Sequence, residues 1–580
     1  MLPLLRSAFE FCHRPEQGIY LKGYRIRTPK DPFKKVRPGS TFPSATCDSI
    51  FSPKICGIMS SMAELRNITT STFSFPDIIA NKFAYVDKTA YLHELLKDGK
   101  NQYFCARPRR FGKSLTISTL QCIFEGRREL FKGLAIDSSD YDWKTYPVIR
   151  LDMGNMQYPD VSGLKVAVVE YLRNEAVRLG VEPRKVDDPI ILFDNLIRDV
   201  ATAKGQGKCV VLIDEYDKPL LGHLGKPSVT SVKEFLKPFY GVVKYTESFQ
   251  RFAFVTGVSK FSKVSIFSDL NNLTDITMDA RFATLFGYTR EEVKANFPEH
   301  LAALAEAQGL TPEGAFAKME EMYDGFKFHP NAERVFNPVS VGKCLSNREF
   351  NNYWFETGTP TFLVDLFKRN PLAETPWELD GALLSMSFEP EHVWMLPLMF
   401  YTGYLTIKSA ERQGDEMVYR LDYPNREVAD SMNKFLVLGL SEVSDDQFGS
   451  ICNRIYGGLR AGEVDEVMEG VKCFFENIPY DLQVKYEKYY QSLFYSIFLM
   501  LKARVACEVK TARGRIDAVV ETPQFVYVFE FKIRGTSEEA MAQIEEKGYA
   551  AKYASDPRKV FKIGCAFDWE KRNLGRWLIA

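Results

Sequence analysis

Histidine is scarce in this 580-residue chain, with six scattered copies, and none of its eleven cysteines falls in a Cys-x-x-Cys pair. A structural zinc site draws on clustered Cys or His ligands, so none is expected. Net charge is missing as well, because 75 basic residues balance 75 acidic ones. Bulk electrostatics therefore point to no nucleic-acid partner, and any such partner must be held by a local basic surface. Long apolar runs are also lacking. The longest strong run near the C-terminus, Leu493 to Leu501, is far short of the ~20 residues that span a bilayer. The opening MLPLLRSAFEFCHRPEQ is interrupted early by Glu10 and His13, which makes a poor signal peptide. Cys105, Cys209 and Cys565 lie in apolar, strand-like runs, as reduced thiols do when buried as small hydrophobes. The expectation is a soluble, intracellular (cytoplasmic) protein with no membrane partner.

At ~150 residues per domain, the length suggests three or four folding units, or two large ones with insertions. Residues 1–62 scatter proline, glycine and basic residues (Arg25, Arg27, Lys30, Lys34, Lys35, Arg37) without a sustained period. That pattern predicts a disordered extension, with a basic targeting or nucleic-acid arm as the alternative. Met59 or Met62 would make a natural start. From residue 73 to about 280, strand-like runs at 102–106, 148–153, 209–214 and 251–258 alternate with helical stretches at 114–125, 163–179, 189–203 and 229–247. Near-continuous apolar strands separated by helices indicate a parallel sheet covered on both faces. Residues 281–470 read as mostly helical, with aromatic clusters and some short strands. Beyond about 480 a long helix (484–502) leads to the strands ARVACEVK, RIDAVVE and FVYVFEFKI, a helix at 536–551, and VFKIGCAFD.

Arg107-Pro-Arg-Arg-Phe-Gly-Lys-Ser114 follows a strand and opens a helix, the context that a phosphate-binding loop requires. The N–H groups of Gly112, Lys113 and Ser114 would converge with the positive end of the helix. Lys113 would bridge the outer phosphates, and the Ser114 hydroxyl would ligate Mg²⁺. The GxxxxGK[ST] pattern wants glycine where this chain has Arg107. Either the loop turns differently, or Arg107, Arg109 and Arg110 contribute charge in its place. The strand VVLID delivers Asp214 to its C-terminal edge, followed by Glu215, and ligand sites of α/β sheets form at that edge. Asp214 would hold Mg²⁺ through water, and Glu215 would polarise the attacking water. Thr256, at the end of the next apolar strand, offers a hydroxyl that could sense the γ-phosphate. Solvated acids ending a strand are the plainer reading of Asp214 and Glu215.

A second constellation is Asp517 with Glu530-Phe-Lys532, on two strands joined by Thr-Pro-Gln. Strand periodicity puts Glu530 and Lys532 on one face, ~7 Å apart, and a hairpin can bring Asp517 beside them. Carboxylates on a face of apolar strands are costly unless they bind something, and Mg²⁺ answers that cost. Asp517 and Glu530 would bind the metal, with Lys532 orienting or helping to deprotonate the attacking water. Glu487 or Glu508 could complete the metal shell. Lys510, Arg513, Arg515, Lys532 and Arg534 could contact phosphates, or simply form a solvated edge that discourages strand pairing.

The segments FAYVDKTAYLHELL, RPRRFGKS, VVLIDEYDKPL, FVTGVSKFS with SDLNNLTDIT, and MYDGFKF followed by FNPVS resemble the AAA-ATPase-like proteins paired with a PD-(D/E)XK nuclease domain. The likeness runs over about residues 73–580. Arginine in place of the first loop glycine is usual in that family. Gln543 resembles the glutamine of a Q-x-x-x-Y-like motif, although position 547 is lysine and the tyrosine is Tyr549. Arg281 is a candidate arginine finger because it follows the sensor region. The resemblance implies an α/β fold: a P-loop NTPase parallel sheet with a helical lid region, and a C-terminal PD-(D/E)XK-type α/β domain. The expected domains are the extension (1–62), an AAA-like ATPase (63–290), a helical lid or linker (291–470) and a nuclease-like domain (471–580). ATP and Mg²⁺ are the expected cofactors. The expected enzyme is an ATPase coupled to a metal-dependent nuclease acting on nucleic acid, DNA first. Homo-oligomerisation stays open. The alternative is an ATP-driven signalling or scaffold switch whose C-terminal domain binds without cleaving.

Overall fold

The apolar runs read as strands form one parallel sheet in the computed structural model. Its members are β1 (Gln102–Ala106), β2 (Val148–Asp152), β3 (Cys209–Asp214) and β4 (Gln250–Gly257), with a two-residue β5 (Thr274–Asp275) added at one edge. Their spatial order is β2-β3-β4-β1-β5. Every residue of β1 and β3 is buried, which explains why these strands read as unbroken apolar runs rather than alternating ones. Parallel pairing needs crossovers, and four helices supply them: α1 (Lys113–Phe124), α2 (Val161–Arg178), α3 (Pro189–Lys204) and α4 (Val229–Tyr245). Two of these begin on aspartate caps. Asp160 accepts from Gly163 N, and Asp188 accepts from Ile190 N and Ile191 N with Pro189 in the first turn, so first-turn N–H groups that lack helical partners are satisfied.

The structure describes residues 20–21, 24–25, 66–98, 101–261, 273–354, 377–385, 394–440, 445–477, 504–511, 514–532, 534–568, 570–571 and 573–580. The chain divides into two units, Met1–Glu64 and Leu65–Ala580. In the first, the described part is an antiparallel pair, Tyr20–Leu21 with Tyr24–Arg25. The rest of the extension lies outside the described residues, as do the expected helix at 484–502 and Glu487.

Between the two expected domains lie helices and a three-stranded antiparallel sheet, β6 (Trp377–Asp380), β7 (Thr406–Gln413) and β8 (Glu416–Asp422), in the order β6-β8-β7. It leads into α5 (Arg426–Leu440), α6 (Asp445–Ala461) and α7 (Val464–Glu476). The C-terminal sheet has five strands in sequential order: β9 (Arg504–Thr511), β10 (Gly514–Glu521), β11 (Phe525–Lys532), β12 (Lys559–Asp568) and β13 (Asn573–Ile579). Only β11 and β12 pair in parallel, and helix α8 (Ser537–Lys547) makes that crossover. Thr536 and Glu539 start α8 with a reciprocal capping box. The sheet is seated on α6 and α7: Tyr527 Oη donates to Leu459 O at 2.7 Å, and Trp577 Nε1 donates to Asp465 at 2.8 Å. Cys105, Cys209 and Cys565 are free and buried, as expected. No helix among the described residues is long and apolar enough to cross a membrane.

Candidate active sites

The loop after β1 carries arginine where the usual pattern has glycine, at Arg107. Two residues take left-handed conformations, Arg110 at φ 69° and Gly112 at φ 92°. Gly112 caps α1, and a Cβ there would meet nothing within 4 Å, so glycine serves the backbone conformation rather than a tight neighbour. Lys113 is buried, and its ammonium donates to Arg107 O at 2.9 Å and Pro108 O at 2.8 Å. Burial lowers its affinity for the proton, opposed by the carboxylates of Glu215, Asp214 and Asp217. Ser114 is half-buried in the first turn of α1.

Parallel register sets the facing wall. Asp152 pairs with Asp214 across β2 and β3, and Ile213 pairs with Val255, so Thr256 stands beside Asp214. Asp214 is fully buried. Its Oδ1 accepts from Thr256 Oγ1 at 2.6 Å and from Glu215 N at 3.0 Å, while its Oδ2 is buried without a hydrogen-bond partner. Glu215 is held at φ 51°, a costly conformation for a residue with a Cβ. Its carboxylate lies against Gly154, where an added Cβ would come within 2.5 Å of Oε2. Burial, Asp214 and Glu215 push the Asp152 carboxyl up. Thr256, read from sequence as a γ-phosphate sensor, is completely buried, and its hydroxyl is donated to Asp214.

The alternative in which Arg107 lends its charge to phosphates is corrected by the structure. Arg107 is wholly buried: Nη1 donates to Ala106 O and Thr277 O, Nη2 donates to Phe282 O, and the guanidinium lies 4.3 Å from the Phe328 ring centre. Its side chain is part of the core beneath the loop. Arg110 donates to Tyr353 O. Phe111 wedges between Phe326 and Phe328, at ring distances of 4.8 and 5.5 Å. The MYDGFKF segment therefore builds the floor of the Arg107–Ser114 loop. The Arg281 guanidinium is engaged by Asp279 at 2.7 Å and Asp98 at 3.5 Å.

Two residues here were missed from sequence. Asp152 ends an apolar strand just as Asp214 does, which was the available signal. Asp217 is fully buried and accepts from Val258 N, Ser259 N and Ser259 Oγ, tying the end of β3 to the end of β4. It lies inside the VVLIDEYDKPL segment, where nothing in its spacing distinguishes it from a solvated acid.

In the C-terminal sheet, Asp517 lies one residue beyond Ala518, which pairs with Phe529; position 517 therefore faces position 530. Asp517 Oδ2 accepts from Phe531 N at 2.8 Å. Glu530 is 2% exposed; its Oε1 accepts from Lys532 Nζ at 3.1 Å, and its Oε2 is buried without a partner. Burial first, then the Asp517 carboxylate, push the Glu530 carboxyl up to about 7, while Lys532 pulls the other way. Lys532 Nζ also donates to Gln543 Oε1 at 2.6 Å, and Gln543 Nε2 donates to Tyr549 Oη at 3.3 Å. Asp517, Glu530, Lys532, Gln543 and Tyr549 thus meet on one end of the sheet. Arg515 and Arg534 are exposed. The side chains of Glu508, Lys510 and Arg513 lie outside the described residues.

The donor sets suit hard cations. Among the described residues no three His, Cys, Asp or Glu side chains form a metal cluster. Each site nonetheless buries one carboxylate oxygen without a donor, on Asp214 and on Glu530, and oxygen of that kind is what Mg²⁺ takes.

A parallel α/β sheet with a lysine loop facing strand-end carboxylates, followed by a D…E-x-K sheet, defines an ATPase-like module joined to a nuclease-like one. Family models agree: residues 69–267 match the predicted AAA-ATPase family, and residues 485–577 match the PD-(D/E)XK nuclease superfamily. A curated relative, the "Uncharacterized protein in vnfD 5'region" of Azotobacter chroococcum mcd 1, is 38% identical over 506 residues, spanning 85% of this chain and 94% of that protein. The chain belongs to this family of predicted AAA-ATPase-like proteins that carry a C-terminal PD-(D/E)XK nuclease superfamily domain.

Proposed function

We propose that the chain binds and hydrolyses ATP at the Arg107–Ser114 loop, and that its C-terminal domain is a Mg²⁺-dependent nuclease acting on nucleic acid, DNA first. The division of labour follows the expected boundaries: 63–290 for the ATPase, 291–470 as the connecting region and 471–580 for cleavage. One observation carries the reading, the burial of a donor-less carboxylate oxygen at both expected metal positions, Asp214 Oδ2 and Glu530 Oε2. A buried acceptor left unpaired costs ~1–3 kcal/mol, a cost that a bound cation removes.

At the first site, Lys113 meets the outer phosphates, with the N–H groups of Gly112 and Ser114. Ser114 and Asp214 hold Mg²⁺, and Thr256 orients Asp214. Glu215 accepts the proton of the attacking water. At the second site, Asp517 and Glu530 hold Mg²⁺, and Lys532, steadied by Gln543, orients the water. Magnesium supplies Lewis-acid stabilisation of charge on the phosphate oxygens in both places.

The test uses the full chain. Lys113→Ala should weaken ATP binding strongly in calorimetry. Asp517→Asn should abolish Mg²⁺-dependent cleavage of plasmid and single-stranded DNA while leaving ATP binding intact, because an amide loses most of its grip on a hard cation. Equal ATP affinity in wild type and Lys113→Ala would refute the first site. A wild type that binds no divalent metal and cuts neither DNA nor RNA, with or without ATP, would favour the scaffold switch.

A further inference from the structure

The phosphate loop packs four cationic side chains into seven residues: Arg107, Arg109, Arg110 and Lys113. Three have defined partners. Arg107 is buried on the carbonyls of Ala106, Thr277 and Phe282. Arg110 donates to the Tyr353 carbonyl, and its charge faces the buried Glu427 carboxylate. Lys113 donates to loop carbonyls and faces Asp214, Glu215 and Asp217. Arg109 is exposed, and no hydrogen bond or ion pair holds it among the described residues.

The residues on both sides of Arg109 are packed in place, while its own side chain is exposed. Pro108 packs so closely on residue 403 that a Cβ on Gly403 would come within 2.7 Å of Pro108 Cβ and 2.9 Å of Trp354. Phe111 is locked between Phe326 and Phe328. Arg109 lies four residues before Lys113 on this packed loop and is exposed, and its positive charge acts on Lys113, Arg110 and Tyr404, which sets it on the rim of the loop near the ammonium. A guanidinium presents a planar fork of donors matched to phosphate oxygens. Leaving such a group solvated on a rigid loop costs little until an anion arrives.

We propose that Arg109 is a catalytic residue of the ATPase site: an arginine carried on the phosphate loop itself that contacts the terminal phosphate and stabilises the charge developing there. This rests on the loop being a nucleotide site. It separates the three arginines by role, with Arg107 and Arg110 holding the loop in shape and Arg109 reading the nucleotide. Arg281, the other candidate finger, is tied to Asp279 and Asp98.

The experiment compares ATP and ADP affinity by calorimetry with single-turnover hydrolysis, in wild type, Arg109→Ala, Arg109→Lys and Lys113→Ala. Arg109→Ala should slow hydrolysis by about 10²–10³-fold and bring ATP affinity down toward that of ADP, with ADP affinity unchanged. Arg109→Lys should restore affinity better than rate, since it keeps the charge without the fork. The exposed position leaves the fold untouched, and an unchanged thermal midpoint checks this. Arg109→Ala hydrolysing ATP at the wild-type rate with the wild-type ATP-to-ADP preference would overturn the proposal while leaving the loop a nucleotide site. A wild type that binds neither nucleotide would overturn both.

Discussion

Glu427 gives the sharpest handle on how the Arg107–Ser114 loop is held. It opens α5, is completely buried, and accepts from Tyr353 N at 2.6 Å, Trp354 N at 2.9 Å and Ser340 Oγ at 2.9 Å. Arg110 of the loop reaches the same Tyr353 through its carbonyl. Burial pushes the Glu427 carboxyl from 4.5 up to about 7, against the hydrogen bonds and the Arg110 charge. The folded segment therefore binds more proton than the opened one between those two values, and closure is strongest at low pH and weakens as pH rises toward 7. From about pH 5 to about pH 7.5 the closed form loses roughly fiftyfold in its equilibrium with the open form, or about 2 kcal/mol. Hydrogen exchange at the Tyr353 and Trp354 amides reads this opening directly. Glu427→Gln keeps an acceptor for both amides and does not titrate, so the ratio of wild-type to Glu427→Gln protection cancels the intrinsic pH dependence of exchange. That ratio should fall roughly fiftyfold across the window. Glu427→Ala should lose protection at every pH, because two amides and a hydroxyl are left unpaired at ~1–3 kcal/mol each. A wild-type to Glu427→Gln ratio that is flat with pH would refute the reasoning.

Gly154→Ala should crowd the Glu215 carboxylate, which lies 2.5 Å from the added Cβ position. ATP hydrolysis should then fall ~10²–10⁴-fold, the usual worth of a positioned base, with ATP affinity held, and unchanged turnover would remove Glu215 from that role. Asp217→Ala strands two buried amides and the Ser259 hydroxyl. Unfolding of the ATPase module should become easier by roughly 3–5 kcal/mol, checked by denaturant titration against Asp217→Asn, which keeps one acceptor and should lose less. Lys532→Met removes the cation that holds the Glu530 carboxyl down. The pH midpoint of Mg²⁺ binding should therefore move up, and an unmoved midpoint would show that Lys532 does not act on Glu530.

The four longer strands of the N-terminal parallel sheet, the helices between them and the D…E-x-K strand pair were legible in the sequence, because each rests on short-range rules. A parallel core strand must be apolar throughout, and residues two apart on a strand share a face. The lysine loop at the strand–helix turn was legible for the same reason. Other features depended on segments far apart in sequence. Arg107 looks like a phosphate ligand in RPRRFGKS, yet its partners are carbonyls 170 and 175 residues away, at Thr277 and Phe282. Thr256 offers a hydroxyl to any nearby phosphate, but the order β2-β3-β4-β1-β5 sets it beside Asp214, which takes it. Glu427 carries no motif at all, and it becomes a loop anchor only where α5 meets Tyr353 and Trp354. Periodicity and turn chemistry act over a few residues and are written in the chain. A buried charge or hydroxyl is assigned by whichever donor or acceptor the packed core brings to it, and that depends on tertiary structure alone.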